Sequence, residues 1–267
     1  MIRDITIGQY VPGDSLLHKS DPRTKIILTF VMMIFIFLIK TYWGYLLLTL
    51  FTALMIVTSN VPVKFILKGL KPVIFIVVFA GVINMFTIGG RIIFEFGFIK
   101  MTYEGVDMAV KMAIRLFLLI ITASMLTYTT TPIALTDGIE KLLGPLKRIR
   151  VPVHEIAMMM TIALRFIPTL LEETDKIIKA QSSRGADFDS GNMVERAKSF
   201  IPVLIPLFIS AFRRADELAT AMEARCYRGS EGRTRMKQLR LTRYDFITSA
   251  ITAVFMAWVL AMQYMVF

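Results

Sequence analysis

MAVKMAIRLFLLIITASMLTY, residues 108–128, runs for 21 residues with two charges, Lys111 and Arg115, both in its first half. A helix needs about 20 predominantly apolar residues to cross about 30 Å of hydrocarbon. This stretch therefore reads as a membrane-spanning helix, and residues 246–267 read the same way. Three shorter apolar runs precede them, at 26–39, 42–58 and 72–89. The first two nearly abut around Lys40 and predict a tight helical hairpin, with Tyr42, Trp43 and Tyr45 as an interfacial belt. Asp21 reads as the N-cap of the first span and Pro22 as its first helical residue, followed by Arg23-Thr24-Lys25. The expected fold is an all-α polytopic membrane protein with about five transmembrane helices.

Composition agrees. Apolar residues make up 55% of the 267, and mean hydropathy is +0.63, above the roughly 45–50% apolar content of soluble domains. Lys and Arg number 31 against 20 Asp and Glu. In a membrane protein that excess marks cytoplasmic loops, so no nucleic-acid partner is expected. The one cysteine, Cys226, excludes an internal disulfide. The polar first 25 residues lack an apolar core, so no cleaved signal peptide is expected.

Basic residues also predict orientation. With the N-terminus cytoplasmic, the inner segments 1–25, 59–71 and 129–243 carry 26 Lys and Arg, whereas the outer segments 40–41 and 89–107 carry three. An odd number of spans then puts the C-terminal Phe267 outside. The division expected is a membrane domain over 1–128, cytoplasmic or interfacial helices over 129–243, and a last span over 244–267.

The segment 129–243 is the unusual part. Its apolar stretches, 153–171 and 200–212, hold Arg165 and Pro168, and Pro202 and Pro206. A charge at mid-bilayer is costly and 13 residues cannot cross, so interfacial or protein-buried helices are expected, with an extra spanning hairpin as the alternative. Residues 169–184 and 211–225 pattern as amphipathic water-type helices. The prolines read as bends between the apolar stretches and these helices. Arg233, Arg235, Lys237, Arg240 and Arg243 form a basic approach to the final span, suited to anionic headgroups.

Both amphipathic helices end alike, Ala180-Gln181-Ser182-Ser183-Arg184-Gly185 and Ala221-Met222-Glu223-Ala224-Arg225-Cys226. An Arg in a last turn complements the helix dipole, and Gly185 suits a left-handed cap. That reading suffices for either ending alone. Their recurrence 41 residues apart points further, to two accessible helix tips whose guanidinium groups fork onto a partner's carboxylates or carbonyls.

These endings resemble the paired Ala-Arg-Gly signatures of the transmembrane T component of energy-coupling factor transporters, the CbiQ/EcfT family. Pro12-Gly13-Asp14-Ser15-Leu16-Leu17-His18, Asp21-Pro22-Arg23-Thr24-Lys25, Ala180 to Phe188 and Ala221 to Gly232 share the likeness. The resemblance implies a non-enzymatic coupling subunit in the plasma membrane, in complex with two ABC-type ATPases and a substrate-binding S component. It would serve import of vitamins or other micronutrients, metal ions among them. It implies docking on the ATPases through Ser183, Arg184 and Gly185 at one tip and Ala224, Arg225 and Cys226 at the other. Two departures from the pattern stand out. Ser183 replaces Ala, a small-for-small change. Cys226 replaces Gly, which disfavours a left-handed cap there and predicts a helix that continues one turn to Gly229.

No catalytic set, cofactor site or metal site is expected. His154-Glu155-Ile156-Ala157-Met158 lacks the second His of a zinc-protease helix, and no phosphate-binding loop exists, so ATP would be hydrolysed by partners. Lys111 and Arg115 read as snorkelling to the outer interface. The rival reading is a self-contained channel or secondary transporter whose cytoplasmic segment is regulatory. Association with two ABC ATPases distinguishes the two.

Overall fold

Along Pro22–Leu38 the apolar side chains have little one-sided bias, as expected where one face meets protein and the other meets lipid. The computed structural model describes residues 10–96, 99–188, 192–229 and 238–265. It is helical almost throughout. The described helices are α1 (Leu16–Lys19), α2 (Pro22–Leu38), α3 (Tyr42–Ser59), α4 (Val63–Thr87), α5 (Tyr103–Thr129), α6 (Pro132–Leu142), α7 (Val153–Ser183), α8 (Met193–Ser199), α9 (Ile201–Ala224) and α10 (Arg243–Met265). A short antiparallel ribbon of β1 (Ile92–Phe96) and β2 (Ile99–Thr102) lies between α4 and α5, and a 3-10 turn, Gly144–Ile149, precedes α7. One compact unit takes the described residues of 8–142 and 239–267, and a second takes those of 143–238.

Among the described residues five helices are long and apolar enough to cross a membrane: α3, α4, α5, α7, and α10 over Arg243–Gln263. The membership differs from the expected set. At 17 residues α2 is about 25 Å long, just under that length. It nonetheless runs from the end tied by Asp21 and Asp245 to the opposite end, where Arg115 meets Ile39. Helix α7 joins the set by length and composition. The run expected at 72–89 begins at Val63, because Pro72 lies inside a helix that already holds Lys64, Lys68 and Lys71. The expected bends are likewise absent as breaks. Helix α7 continues through Pro168 and α9 through Pro206, while Pro202 sits in the first turn of α9, where its missing N–H leaves no bond unmade. Of the basic approach to α10, Arg240 and Arg243 are described. Arg233, Arg235 and Lys237, like Gly232 and Phe267, lie outside the described residues.

The first unit is built around α2, α3, α5 and α10. Met32, Phe35, Ile36, Ile39, Tyr45, Leu48, Phe51, Leu118 and Val259 form its core, and the rings of Phe51 and Phe255 stack at 4.1 Å. Outward faces stay apolar: Leu50, Phe75 and Val254 are exposed, the pattern of a surface that meets acyl chains.

Polar residues gather at the two ends of this unit. At one end Asp21 caps α2 through Arg23 N and accepts two hydrogen bonds from the Arg23 guanidinium, at 3.0 and 2.8 Å. The Asp21 N–H donates to Asp245 Oδ1 at 2.6 Å, while Asp245 Oδ2 accepts from Thr242 N at the start of α10. Buried Lys25 donates to Thr129 O at 2.9 Å and to Thr130 Oγ1, so its ammonium sits on the negative end of α5. The His18 ring bridges Ser15 Oγ (2.7 Å) and Val11 O (2.9 Å). Gly13 lies so close beneath that ring that a Cβ would approach Cε1 to 2.9 Å. The Val11 N–H reaches Tyr128 O, and Tyr128 Oη reaches Phe65 O on α4. Asp21–Lys25 thus ties the start of α2 to the start of α10 and the end of α5, and Tyr128 adds the start of α4.

At the other end Arg115 turns inward rather than out to the interface. Its guanidinium donates to Tyr45 Oη at 2.8 Å and to Ile39 O at 3.4 Å, pinning the α2–α3 joint. Lys111 pairs with Asp107 at 2.7 Å, and Asp107 also accepts from Tyr42 Oη.

Candidate docking tips of the helix pair

In the second unit the decisive geometry is how α7 meets α9. Near the end of α7, Gln181 Nε2 donates to Pro202 O at the start of α9, at 3.4 Å. Midway, Glu173 accepts from Ser210 Oγ at 2.5 Å and from Arg214 at 2.9 Å. Near the start of α7, Met158 to Phe166 face Leu218 to Gly229 across an open groove. Residue numbers fall along α7 as they rise along α9, so the helices run antiparallel. Their C-terminal tips lie at opposite ends of the pair, on the order of 30 Å apart.

Local sequence sets each tip. The α7 cap residue Arg184 has φ −90° and ψ 5°, and Gly185 follows at φ +90°. Gly185 N donates to Ser182 O and Ala186 N to Gln181 O, both at 3.0 Å. These bonds make a Schellman cap, which satisfies two of the carbonyls that a helix end leaves open. The α9 cap residue Arg225 has φ −91° and ψ 14°. Cys226 N donates to Glu223 O at 2.9 Å and Tyr227 N to Met222 O at 3.0 Å.

The second tip corrects the sequence expectation. Helix α9 stops at Ala224 and does not continue to Gly229, and Cys226 takes the left-handed position at φ +57°. Two satisfied carbonyls outweigh a left-handed cost of about 1–2 kcal/mol for an L-residue. Gly229, at φ +84°, turns the chain a second time.

Ser183, Arg184, Gly185, Ala224, Arg225 and Cys226 are all exposed. Neither guanidinium makes an ion pair or side-chain hydrogen bond among the described residues. The surroundings differ. At the Arg184 end the chain folds back on itself, with the Phe188 and Phe200 rings 5.3 Å apart and Arg196 Nε donating to Phe188 O. At the Arg225 end the described residues line a groove of about 670 Å³.

The family described as "Cobalt transport protein", CbiQ, matches residues 13–236. The chain belongs to the CbiQ family. It is 82% identical over 267 residues, the whole of both chains, to "Energy-coupling factor transporter transmembrane protein EcfT" of Ruminiclostridium cellulolyticum. It is 56% identical to the protein of the same name in Thermosediminibacter oceani, covering 95% of this chain and 97% of that one. The Bacillus subtilis protein of that name is 50% identical, with 95% of each chain covered.

In this CbiQ-family chain the residues flagged in the sequence fall in two classes. Those near the N-terminus are partnered inside the first unit, whereas the two arginine endings face outward. Sequence reading missed Glu173 as the brace between α7 and α9, and Arg165 and Arg228 as walls of the groove beside Arg225. The signal for Glu173 was present, since it is the one carboxylate in 169–178 left over after Glu172/Lys176 and Asp175/Lys179 are paired at i,i+4. Nothing in the linear pattern brings Arg165 beside Arg228, because that requires the antiparallel register.

Proposed function

We propose that this chain is the coupling subunit of an energy-coupling factor importer. It links two ABC-type ATPases, which hydrolyse ATP, to an S component that binds a vitamin or another micronutrient, metal ions included. The observation that carries this reading is the pair of matched Schellman tips at opposite ends of one braced helix pair, each presenting an exposed arginine that has no ion pair among the described residues. Two separate tips suit two separate ATPase subunits.

Orientation follows from the first unit. Lys25, Lys64, Arg240 and Arg243 belong to the end tied together by Asp21, Asp245 and Tyr128, along with Lys68 and Lys71 on the first turns of α4. The opposite end, around Tyr42 and Asp107, carries fewer basic residues. The basic end supports a cytoplasmic N-terminus and segment 129–243, with the C-terminus outside. Helix α7 is long and apolar enough to span, but its antiparallel register sets Arg165, Arg225 and Arg228 at one level. That favours a position at the cytoplasmic surface over one in hydrocarbon.

Coupling then proceeds through the brace. Glu173 ties the helices near their middles, and Pro168 and Pro206 each lie about one turn from it. Each removes one backbone hydrogen bond and softens its helix close to the crossing. Closure of the ATPases on the two tips swings α7 and α9 about that point and reorients the membrane-facing surface on which the S component sits.

The test is association of the purified full-length chain, in nanodiscs, with its ATPase pair. Loss of a buried interfacial Arg costs about 2–4 kcal/mol, roughly 30- to 1000-fold in affinity. The Arg184→Ala, Arg225→Ala double variant should lose association while keeping its thermal midpoint. Unchanged binding and transport by the double variant would rule the docking role out.

A further inference from the structure

The groove at the Arg225 end is wider than a helix cap requires. Arg165 and Phe166 of α7 face Leu218 and Met222 of α9 across it, and Arg225 and Arg228 close its rim. Its volume, about 670 Å³, falls within the roughly 300–1,000 Å³ typical of ligand and side-chain pockets. Among the described residues three arginines line it and no carboxylate does. None of the three is in an ion pair or side-chain hydrogen bond among the described residues. Glu173, the nearest carboxylate used between the helices, is already held by Ser210 and Arg214.

Three like charges around one concavity raise its potential and select an anionic occupant. The apolar wall of Ile162, Phe166, Leu218 and Met222 selects one that also carries hydrocarbon. We infer that this groove receives an acidic, amphipathic segment of the ATPase docked at the second tip, with Arg165 and Arg228 forking onto its carboxylates beside Arg225. The inference rests on the docking reading above and deepens it. It makes the two tips unequal, because at the Arg184 end the chain packs Phe188 against its own Phe200, with the rings 5.3 Å apart. A lipid headgroup is the poorer fit. On the α9 side the second half of the helix, from Arg213 onward, carries Arg214, Asp216, Glu217 and Glu223, and it sets Leu218 and Met222 about 9–15 Å beyond the apolar stretch ending at Phe212.

The experiment is binding of the ATPase pair to the full-length chain in nanodiscs, measured from low to high salt, for Arg165→Ala, Arg228→Ala, Arg165→Lys and Arg225→Ala. Arg165→Ala should weaken association about tenfold or more and flatten its salt dependence, with the thermal midpoint unchanged. Arg165→Lys should recover most of the affinity. These effects should persist in nanodiscs made without anionic lipid. If Arg225→Ala weakens binding while Arg165→Ala and Arg228→Ala bind like the parent, the groove proposal is wrong and docking at the tip stands. If the Arg165→Ala effect disappears without anionic lipid, the occupant is a headgroup and the proposal falls. If Arg184→Ala, Arg225→Ala also binds like the parent, both readings fall together.

Discussion

The N-terminal stretch Asp21–Lys25 and the two endings at Arg184 and Arg225 all carry an arginine at a helix end, yet the fold uses them in opposite ways. Asp21 and Lys25 are buried, and every charged side chain in that stretch has partners: Arg23 and Lys25 donate, Asp21 accepts, and Asp245 takes the Asp21 N–H. At the tips the Schellman bonds run between backbone atoms alone, so the cap does not draw on the arginine side chains. A charged residue whose removal would strand a buried partner is part of the scaffold. One whose removal strands nothing is available to another molecule.

That contrast is broken or upheld most directly by exchanging the readouts. The tip double variant, Arg184→Ala with Arg225→Ala, should lose roughly 30- to 1000-fold in ATPase affinity with a thermal midpoint like the parent's. Lys25→Met should do the reverse. It leaves Thr129 O, at a helix end, without its 2.9 Å donor, a loss of about 1–3 kcal/mol. The folded fraction should still bind the ATPases like the parent. Thermal unfolding in detergent and binding in nanodiscs check both. A tip variant that unfolds, or a Lys25 variant that folds normally and fails to bind, would erase the distinction.

A second test sharpens the scaffold side. Asp245→Ala removes the acceptor of both the Asp21 and the Thr242 N–H groups and should cost about 1–3 kcal/mol, with Asp245→Asn intermediate. Acidity should reach the same clasp. Burial pushes the Asp21 carboxyl up, but the hydrogen bonds and charge of Arg23, with the charge of Lys25, outweigh it and hold the carboxyl below the ordinary carboxylate range. A carboxyl with a lowered folded value stabilises fully above its unfolded value and loses that contribution as pH falls through the folded one. The thermal midpoint should therefore drop on acidification by more in the parent than in Asp21→Asn. Parallel curves for the two would remove Asp21 from the clasp.

The sequence made the helical class, the Asp21–Pro22 start and the likeness of the two endings readable, because each rests on local pattern: apolar run length, a capping residue, a repeated tail. It misplaced what depends on long-range pairing. Lys64, Lys68 and Lys71 read as part of an inner segment ahead of the apolar run, but α4 includes them, held by packing on α5 and by Tyr128 Oη on Phe65 O. Arg115 read as an outward snorkel, since no linear rule connects it with Tyr45 and Ile39, 70 and 76 residues away. The register of α7 on α9, and with it the groove, needed a carboxylate at Glu173 to meet Ser210 and Arg214.

The smallest expected effect separates the two tips themselves. Both caps use the same two backbone bonds, but one has glycine in the left-handed position and the other has cysteine. At Gly185 a Cβ would meet nothing within 4 Å, so Gly185→Ala tests backbone strain with no steric component. It should destabilise by about 1 kcal/mol, the left-handed penalty of about 1–2 kcal/mol reduced by the freedom glycine gives the unfolded chain. Cys226→Gly should do the opposite, relieving the same penalty and returning about 0.4–1 kcal/mol of unfolded-state freedom, for a net gain of roughly 0.5–1 kcal/mol. In a chain of this size that is a rise of about 1–4 °C in thermal midpoint, with Gly185→Ala falling by a similar amount. ATPase affinity should be unaffected by Cys226→Gly, because the bonds that aim Arg225 run through backbone atoms that glycine retains. If Cys226→Gly lowered the midpoint, the cysteine would be stabilising the tip through its side chain. The two endings would then be held by different physics despite their matching geometry.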